Sequence, residues 1–286
     1  MGNNHSRAAA TFVLNKAEPI HRWYPYLEGY SSRLVEDIVM EIGLENIHTI
    51  LDPFGGSGTT PLVASSHGIK SLYCETNPFM QQVIEAKINS VKRLRDSRTG
   101  SRYLKEFLKE LESIPDQLCI DTATWDGFEK YFDPEVLVQL QTLKMKVEKI
   151  TDPDTRSIAL ILLASVTVRA SKMIRQGDLR FAKANEKKPD DKNIFANFIT
   201  KIKTAIEDIE NDACHPRVET IRLAEDARDI VMENKIDCVI TSPPYLNGTN
   251  YIRNTKLELK LTDHIVTEKD LPMFHSKGII AGIKNV

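Results

Sequence analysis

Between residues 47 and 75 an apolar run, a glycine-rich turn, a helical stretch and a second apolar run succeed one another. That order restricts the fold more than any other feature of the chain. Ile47-His-Thr-Ile-Leu51 has the character of a buried strand. Asp52-Pro-Phe-Gly-Gly-Ser-Gly-Thr-Thr60 comes next as a turn, with a helix from about Thr59. Ile69-Lys-Ser-Leu-Tyr-Cys-Glu75 supplies the next strand. Strand, glycine turn, helix and strand make a βαβ unit, which implies a parallel sheet.

The flanking sequence extends this pattern and then breaks it. A helical stretch, Ser32 to Ile42, comes before the first strand. From Ala86 the chain reads almost wholly as helix, with apolar residues at helical spacing in Tyr103–Leu111, Val136–Val147, Ile158–Ile174 and Ile194–Ile209. Pro115, Pro134, Pro153 and Pro189 punctuate these segments. The α/β character then returns. Val218-Glu-Thr-Ile-Arg-Leu223 predicts a strand, Ala227–Asn234 a short helix, and Ile236-Asp-Cys-Val-Ile-Thr241 a strongly apolar strand. The expected organisation is an α/β part over residues 1–85, a helical insertion over 86–214, and a second α/β part over 215–286.

Composition limits the alternatives. The chain has 286 residues, 41% hydrophobic and 27% charged, enough to bury a sizeable core and too apolar for a disordered chain. Its 38 basic and 40 acidic residues give a net charge of −2. Any nucleic-acid binding would therefore rest on clustered cations rather than on the total charge. Cys74, Cys119, Cys214 and Cys238 stand far apart, which argues against a zinc site or a disulfide framework and fits a reducing cytoplasm. No metal is expected. The longest apolar run, Ile158 to Val168, is too short to span a bilayer, and Met1–Ala10 lacks the apolar centre of a secretory signal.

Two segments carry the chemistry. Glycines after a strand let a backbone approach a ligand closely, and the next helix presents its positive end there. Asp52 at the strand tip is not expected in a core and suits an amino or ammonium group. Glu75 ends the next strand, 20 residues beyond Gly55, where a carboxylate can accept both hydroxyls of a ribose. Together they point to a nucleoside ligand without a pyrophosphate. The second segment is Thr241-Ser-Pro-Pro-Tyr245, directly after an apolar strand. Its two prolines lack donors and leave the carbonyls of Ser242 and Pro243 as acceptors. Such acceptors can hold an exocyclic amino group while Tyr245 stacks on the base that bears it.

The pairing of Asp52-Pro-Phe-Gly-Gly-Ser-Gly-Thr-Thr60 with Thr241-Ser-Pro-Pro-Tyr245 resembles the S-adenosylmethionine-dependent DNA amino-methyltransferases, which methylate cytosine N4 or adenine N6. The resemblance implies a class I, Rossmann-like methyltransferase sheet. It assigns the cofactor to Asp52, Pro53, Phe54, Gly55, Gly56, Ser57, Gly58, Thr59 and Glu75, and catalysis to Ser242, Pro243, Pro244 and Tyr245. His21-Arg-Trp-Tyr-Pro-Tyr26 with Ser31–Val35 resembles the segment that closes over the methionine end, which adds Tyr24 and Pro25. Leu223-Ala-Glu-Asp-Ala-Arg228 resembles the acidic turn after the third strand, where Asp226 would meet the cofactor's adenine amino group. Ser242 leans toward cytosine N4. Methylation at cytosine C5 is disfavoured, since it needs a nucleophilic cysteine after a proline. The rival readings are an RNA or glutamine amino-methyltransferase and a non-catalytic subunit.

The resemblance also creates an expectation about partners. Beyond Tyr245 stand 41 residues, too few for the remaining strands and a DNA-reading domain, although Leu257-Glu-Leu-Lys-Leu261 can give one helix. The expectation is one half of a split or truncated methyltransferase, acting on double-stranded DNA with a second polypeptide, within a restriction-modification system. Lys87–Lys109 holds one group of basic residues. Arg169, Lys172 and Arg175, at i, i+3 and i+6 of one apolar helix, form the first-ranked candidate DNA contact.

Overall fold

The computed structural model describes residues 11–26, 28–113, 125–183, 185–186, 189–211, 215–232, 235–244 and 251–275. In chain order the first elements are α1 (Ser32–Ile42), β1 (Thr49–Asp52), α2 (Thr59–Ser66), β2 (Lys70–Cys74), α3 (Pro78–Glu85) and α4 (Val91–Asp96). A π-helical turn, Ala86–Ser90, joins α3 to α4. Then come α5 (Arg102–Glu112), α6 (Pro134–Glu148), α7 (Pro153–Ala170), β3 (Met173–Gln176), β4 (Asp178–Phe181) and α8 (Ile194–Glu210). The last are β5 (Thr220–Ala224), β6 (Cys238–Val239), α9 (Tyr251–Asn254), α10 (Lys256–Leu261) and α11 (Pro272–His275). Two compact units result: Met1–Gly100 with Asp208–Pro244, and Ser101–Glu207 with Tyr245–Val286.

The first unit contains a parallel sheet in the spatial order β5-β2-β1-β6. By chain order these are the third, second, first and fourth strands of the sheet, the order of a Rossmann-like half. Leu51 lies opposite Leu72 and Val239, and Ser71 opposite Thr220. All four strands therefore end on one edge. The core on one face joins Val35 and Val39, one helical turn apart on α1, to Ile50, Val63, Ala64, Ile69 and Ile240. Each valine or isoleucine among them contributes about 1.5–3 kcal/mol by leaving water. Local chemistry sets the helix starts: Ser31 accepts the Leu34 N–H at 3.3 Å, and Asn77 accepts that of Phe79 at 3.1 Å, with Pro78 in the first turn.

The fourth strand is shorter than its apolar sequence predicts. Only Cys238 and Val239 pair as strand residues, though Asp237 N–H donates to the Thr49 carbonyl (3.1 Å) and Ile240 N–H to that of Leu51 (3.2 Å). Pro243 and Pro244 can donate nothing, so pairing cannot continue past them. Of the segment expected as a helix over 227–234, the described residues 227–232 hold a single 3-10 turn, Ala227–Asp229, and 233–234 lie outside the described residues.

The second unit holds α5, α6, α7 and α10, with α6 and α10 both packed on α7. It also holds an element that the helical reading missed. The helix expected to run to Ile174 stops at Ala170, where Ser171 is extended, and an antiparallel hairpin comes next. Gly177, at φ +75°, makes its turn between Gln176 and Asp178. Asn254 fastens this hairpin, accepting the Leu179 N–H at 2.8 Å and donating to the Gly177 carbonyl at 2.7 Å. Lys256-Leu-Glu-Leu-Lys-Leu261 alternates as a strand would, yet forms α10, the helix expected near 257–261. All six of its residues are buried. Its charges are matched: Glu258 to Arg175 (2.5 Å), Lys256 to Glu268 (3.1 Å) and Lys260 to Asp126 (2.8 Å).

Candidate active site at the carboxyl edge of the sheet

The glycine turn is built around its own hydrogen bonds. Gly55 N–H donates to the Cys74 carbonyl (2.9 Å), Gly56 N–H to Glu75 Oε2 (2.8 Å) and Gly58 N–H to the Gly55 carbonyl (2.8 Å). Phe54 N–H donates to Asp52 Oδ1 at 3.1 Å. The three glycine N–H groups are thus consumed in shaping the turn. Among the described residues, the N–H groups of Ser57, Thr59 and Thr60 make no hydrogen bond. These are the donors that the turn and the start of α2 can offer a ligand. Gly58 is required on two counts: its φ is +81°, and a Cβ there would lie 3.0 Å from Ile84 Cγ1.

Asp52 departs from expectation. It is 1% exposed, so the carboxylate at the strand tip is a core group after all. It accepts from Phe54 N–H, from Thr241 Oγ1 at 2.7 Å and from the Tyr30 hydroxyl at 3.1 Å. Three donors make burial of a carboxylate tolerable. Burial still pushes its pKa up to about 6, against the pull of those bonds. The Thr241 bond joins the segment of the two prolines to the start of the glycine turn. Thr241 and Tyr30 were not among the expected site residues. Position alone could have found Thr241, the first polar residue beyond the fourth strand.

Glu75 is partly exposed and accepts the Gly56 and Asn77 N–H groups, each at 2.8 Å. Burial raises its pKa to about 7. Asp226 sits in the turn after β5 and is bound by Arg228, whose guanidinium holds its carboxyl below the usual range. Asp52, Asp226 and Glu75 all raise the pKa of the Cys74 thiol, after the larger effect of burial. Asp52 ends β1, Glu75 follows β2 and Asp226 follows β5, so three carboxylates stand at the ends of neighbouring strands on one edge. Ser242 and Pro244 are half-buried and Pro243 is exposed. Tyr245 lies outside the described residues.

Residues 11–26 and 28–31 form a strap that closes this edge. Asn15, fully buried, donates to the Tyr30 carbonyl (3.0 Å) and to Thr59 Oγ1 (3.4 Å), and accepts the Ser32 N–H (2.7 Å). The Tyr30 hydroxyl also meets Thr60 Oγ1 at 2.5 Å. Tyr24, expected at the cofactor, is instead 1% exposed with its ring edge-on to Phe79 at 5.0 Å. Tyr26 is the tyrosine that lies against the glycine turn, since a Cβ on Gly56 would lie 3.1 Å from Tyr26 Cε1. Pro25, between them, is partly exposed. The strap has no regular periodicity, so alternation could not say which tyrosine faces the turn.

The expected DNA contacts do not form one helix face. Arg169 lies on α7, Lys172 stands just past its end, and Arg175 is on β3. Each is paired within the second unit: Arg169 with Asp191 (2.5 Å), Lys172 with Asp133 (3.4 Å) and Arg175 with Glu258 (2.5 Å). Lys87, counted in the first basic group, is 1% exposed and belongs to the core. Among the described residues no group of three or more His, Cys, Asp or Glu could hold a metal ion, and no helix is long and apolar enough to cross a membrane.

No family model matches the chain, and no solved structure matches it. Curated proteins do. The chain is 28% identical over 280 residues to the Type II methyltransferase M.BsoBI of Geobacillus stearothermophilus, covering 89% of this chain and 55% of that protein. It is 26% identical to M.AvaI of Nostoc sp., covering 98% of this chain and 61% of the other. With M.MvaI of Kocuria varians the identity is 22%, over 85% of this chain and 57% of the other. The chain thus spans between 55% and 61% of the length of these relatives. In them the remaining length belongs to the same polypeptide, so the comparisons give the expected second polypeptide no support. The relatives of this chain are Type II methyltransferases, in agreement with the resemblance carried by its two motifs.

Proposed function

We propose that this chain carries the cofactor-binding and catalytic part of a site-specific DNA methyltransferase that uses S-adenosylmethionine. The observation that carries the reading is the Thr241–Asp52 hydrogen bond of 2.7 Å, which sets the Ser-Pro-Pro segment beside the glycine turn on one sheet edge. The donor set suits the cofactor. Unbonded N–H groups at Ser57, Thr59 and Thr60 match a carboxylate. Glu75, partly exposed, retains acceptor capacity for two ribose hydroxyls, and Asp226 stands beyond β5 for an adenine amino group. When bound, S-adenosylmethionine supplies a methyl group activated by its sulfonium.

The chain's own part is orientation. A target base in duplex DNA must leave the stack to reach such an edge. The carbonyls of Ser242 and Pro243 then accept the two hydrogens of its amino group, which turns the nitrogen lone pair toward the methyl group. Tyr245 holds the face of the base. Ser242 favours cytosine N4 over adenine N6. Arg169, Lys172 and Arg175 remain proposed phosphate contacts, each in exchange for a carboxylate it now holds. Of the expected 86–214 insertion, the part that falls in the second unit, Ser101–Glu207, is proposed to serve DNA.

The test is transfer of labelled methyl to unmethylated double-stranded DNA, then digestion to nucleosides and mass spectrometry. N4-methylcytosine is expected. N6-methyladenine would reverse the base assignment. Label in RNA or protein but not in DNA would overturn the substrate class.

A further inference from the structure

Lys87 is a buried cation that the proposed chemistry does not use. Its side chain comes from the π-helical turn Ala86–Ser90, between α3 and α4. Its ammonium donates to the Ser57 carbonyl at 3.2 Å and to the His21 carbonyl at 3.4 Å. Ser57 is in the glycine turn, and His21 is in the strap that closes over it. One nitrogen therefore ties the two parts of the candidate cofactor site together.

The π turn has a second product. Asn89, two residues on, donates to the Thr220 carbonyl (3.1 Å) and accepts the Thr220 N–H (2.8 Å), engaging the backbone of β5. Single π turns interrupt helices at a cost and are frequent at functional sites. Here the interruption directs Lys87 toward the glycine turn and Asn89 toward the third strand of the sheet. A buried ammonium is also costly unless it is well met. A methionine or leucine would have filled the same volume at less cost if packing were the only need.

The Ser57 carbonyl matters because of the peptide it belongs to. That peptide also carries the Gly58 N–H, which closes the turn onto the Gly55 carbonyl at 2.8 Å. With the carbonyl held by Lys87 and the N–H held by Gly55, this peptide plane cannot rotate. The plane stands between the Ser57 N–H on one side and those of Thr59 and Thr60 on the other. Holding it fixes how all three donors face a ligand. His21 beside it is kept neutral, its pKa lowered to about 3 by burial and then by Lys87.

We infer that Lys87 is a positioning residue for the cofactor: its ammonium locks the glycine turn to the strap in the shape that presents the Ser57, Thr59 and Thr60 N–H groups. The inference rests on the proposed binding of S-adenosylmethionine at this turn. The test is calorimetric titration of the full chain with S-adenosylmethionine, for wild type, Lys87→Met and Lys87→Arg, with thermal unfolding of each. Lys87→Met is expected to weaken binding about tenfold or more, and Lys87→Arg, which keeps a charged donor, to restore most of it. Hydrogen exchange at the bonded Gly55, Gly56 and Gly58 amides is expected to quicken in Lys87→Met alone. A folded Lys87→Met with wild-type affinity overturns the inference and leaves the cofactor reading intact. So does equal weakening in both variants, which marks a packing role. If Lys87→Met does not fold, Lys87→Gln takes its place, and wild-type affinity there overturns the inference equally. No binding by the wild-type protein overturns both readings.

Discussion

Two carboxylates at the sheet edge, Asp52 and Glu75, differ in a way that only their surroundings explain. Asp52 is shut in by three donors, whereas Glu75 keeps part of its surface open. A ribose hydroxyl donates to an ionised carboxylate, so binding selects the charged form of Glu75. Its pKa of about 7 then predicts that cofactor affinity increases as pH rises through 7. Stability of the unliganded protein should move the other way. The raised pKa stabilises the fold fully below about 4.5, and that contribution is lost as pH rises through about 7. Titration calorimetry between pH 6 and 8 checks the affinity, and Glu75→Gln should flatten the profile. Loss of two charge-assisted bonds should also weaken binding in that variant by about ten- to a hundredfold. A slope unchanged in Glu75→Gln would remove Glu75 from the site. At Thr241 the expected effect is on the fold. Thr241→Val deletes a donor to a buried carboxylate, which should cost about 1–3 kcal/mol in denaturant unfolding and raise the pKa of Asp52 further. A stability equal to wild type would show that the bond is not formed.

At the scale of elements, the strap is the part that regular patterns describe least, and one acid holds it. Asp208 in the last turn of α8 is 2% exposed and accepts from Ile20 N–H (2.8 Å), Trp23 Nε1 (2.8 Å) and Arg22 Nε (3.1 Å), with a further bond from Arg22 Nη2. Ile20 has φ +63°, a region that β-branched residues avoid. The Asp208 bonds offset that strain. Asp208→Ala leaves the Trp23 indole and the Ile20 amide without their acceptor and should cost about 3–5 kcal/mol, the range for breaking a buried pair. Urea unfolding measures it, and a loss below about 1 kcal/mol would mean that the strap is held elsewhere. This dependence explains what the sequence could reveal. The βαβ unit was legible because alternation, glycines and caps act within a few residues: α1 spans Ser32–Ile42 and α2 starts at Thr59, both as expected. The β3–β4 hairpin was not, because its four-residue strands continue an apolar helical register up to Ile174. Lys87 was not legible either. Its burial comes from a helix defect, and the sequence around it reads as a run of surface cations.

For the whole molecule, the proposed cofactor contacts fall within one of the two compact units. The strap, residues 52–60, Glu75, Asp226 and residues 241–244 all belong to Met1–Gly100 with Asp208–Pro244. The hairpin, α6 and α7 belong to the other. A ligand that binds the native state stabilises it by about 2.7 kcal/mol at a hundred times its dissociation constant. Amides that exchange by opening of the first unit should then slow by about a hundredfold. The order of protection can be set in advance. The Ser57, Thr59 and Thr60 amides should slow most, since they have no partner until the ligand arrives. The Gly55, Gly56 and Gly58 amides, already bonded, should slow only as the unit does. Those of α6 and α7 should keep their rates, because no proposed contact lies among them. Hydrogen exchange with and without S-adenosylmethionine reads all three classes in one experiment. Uniform slowing across both units would show that the chain opens as one body. Slowing confined to α6 and α7 would move the cofactor out of the parallel sheet altogether.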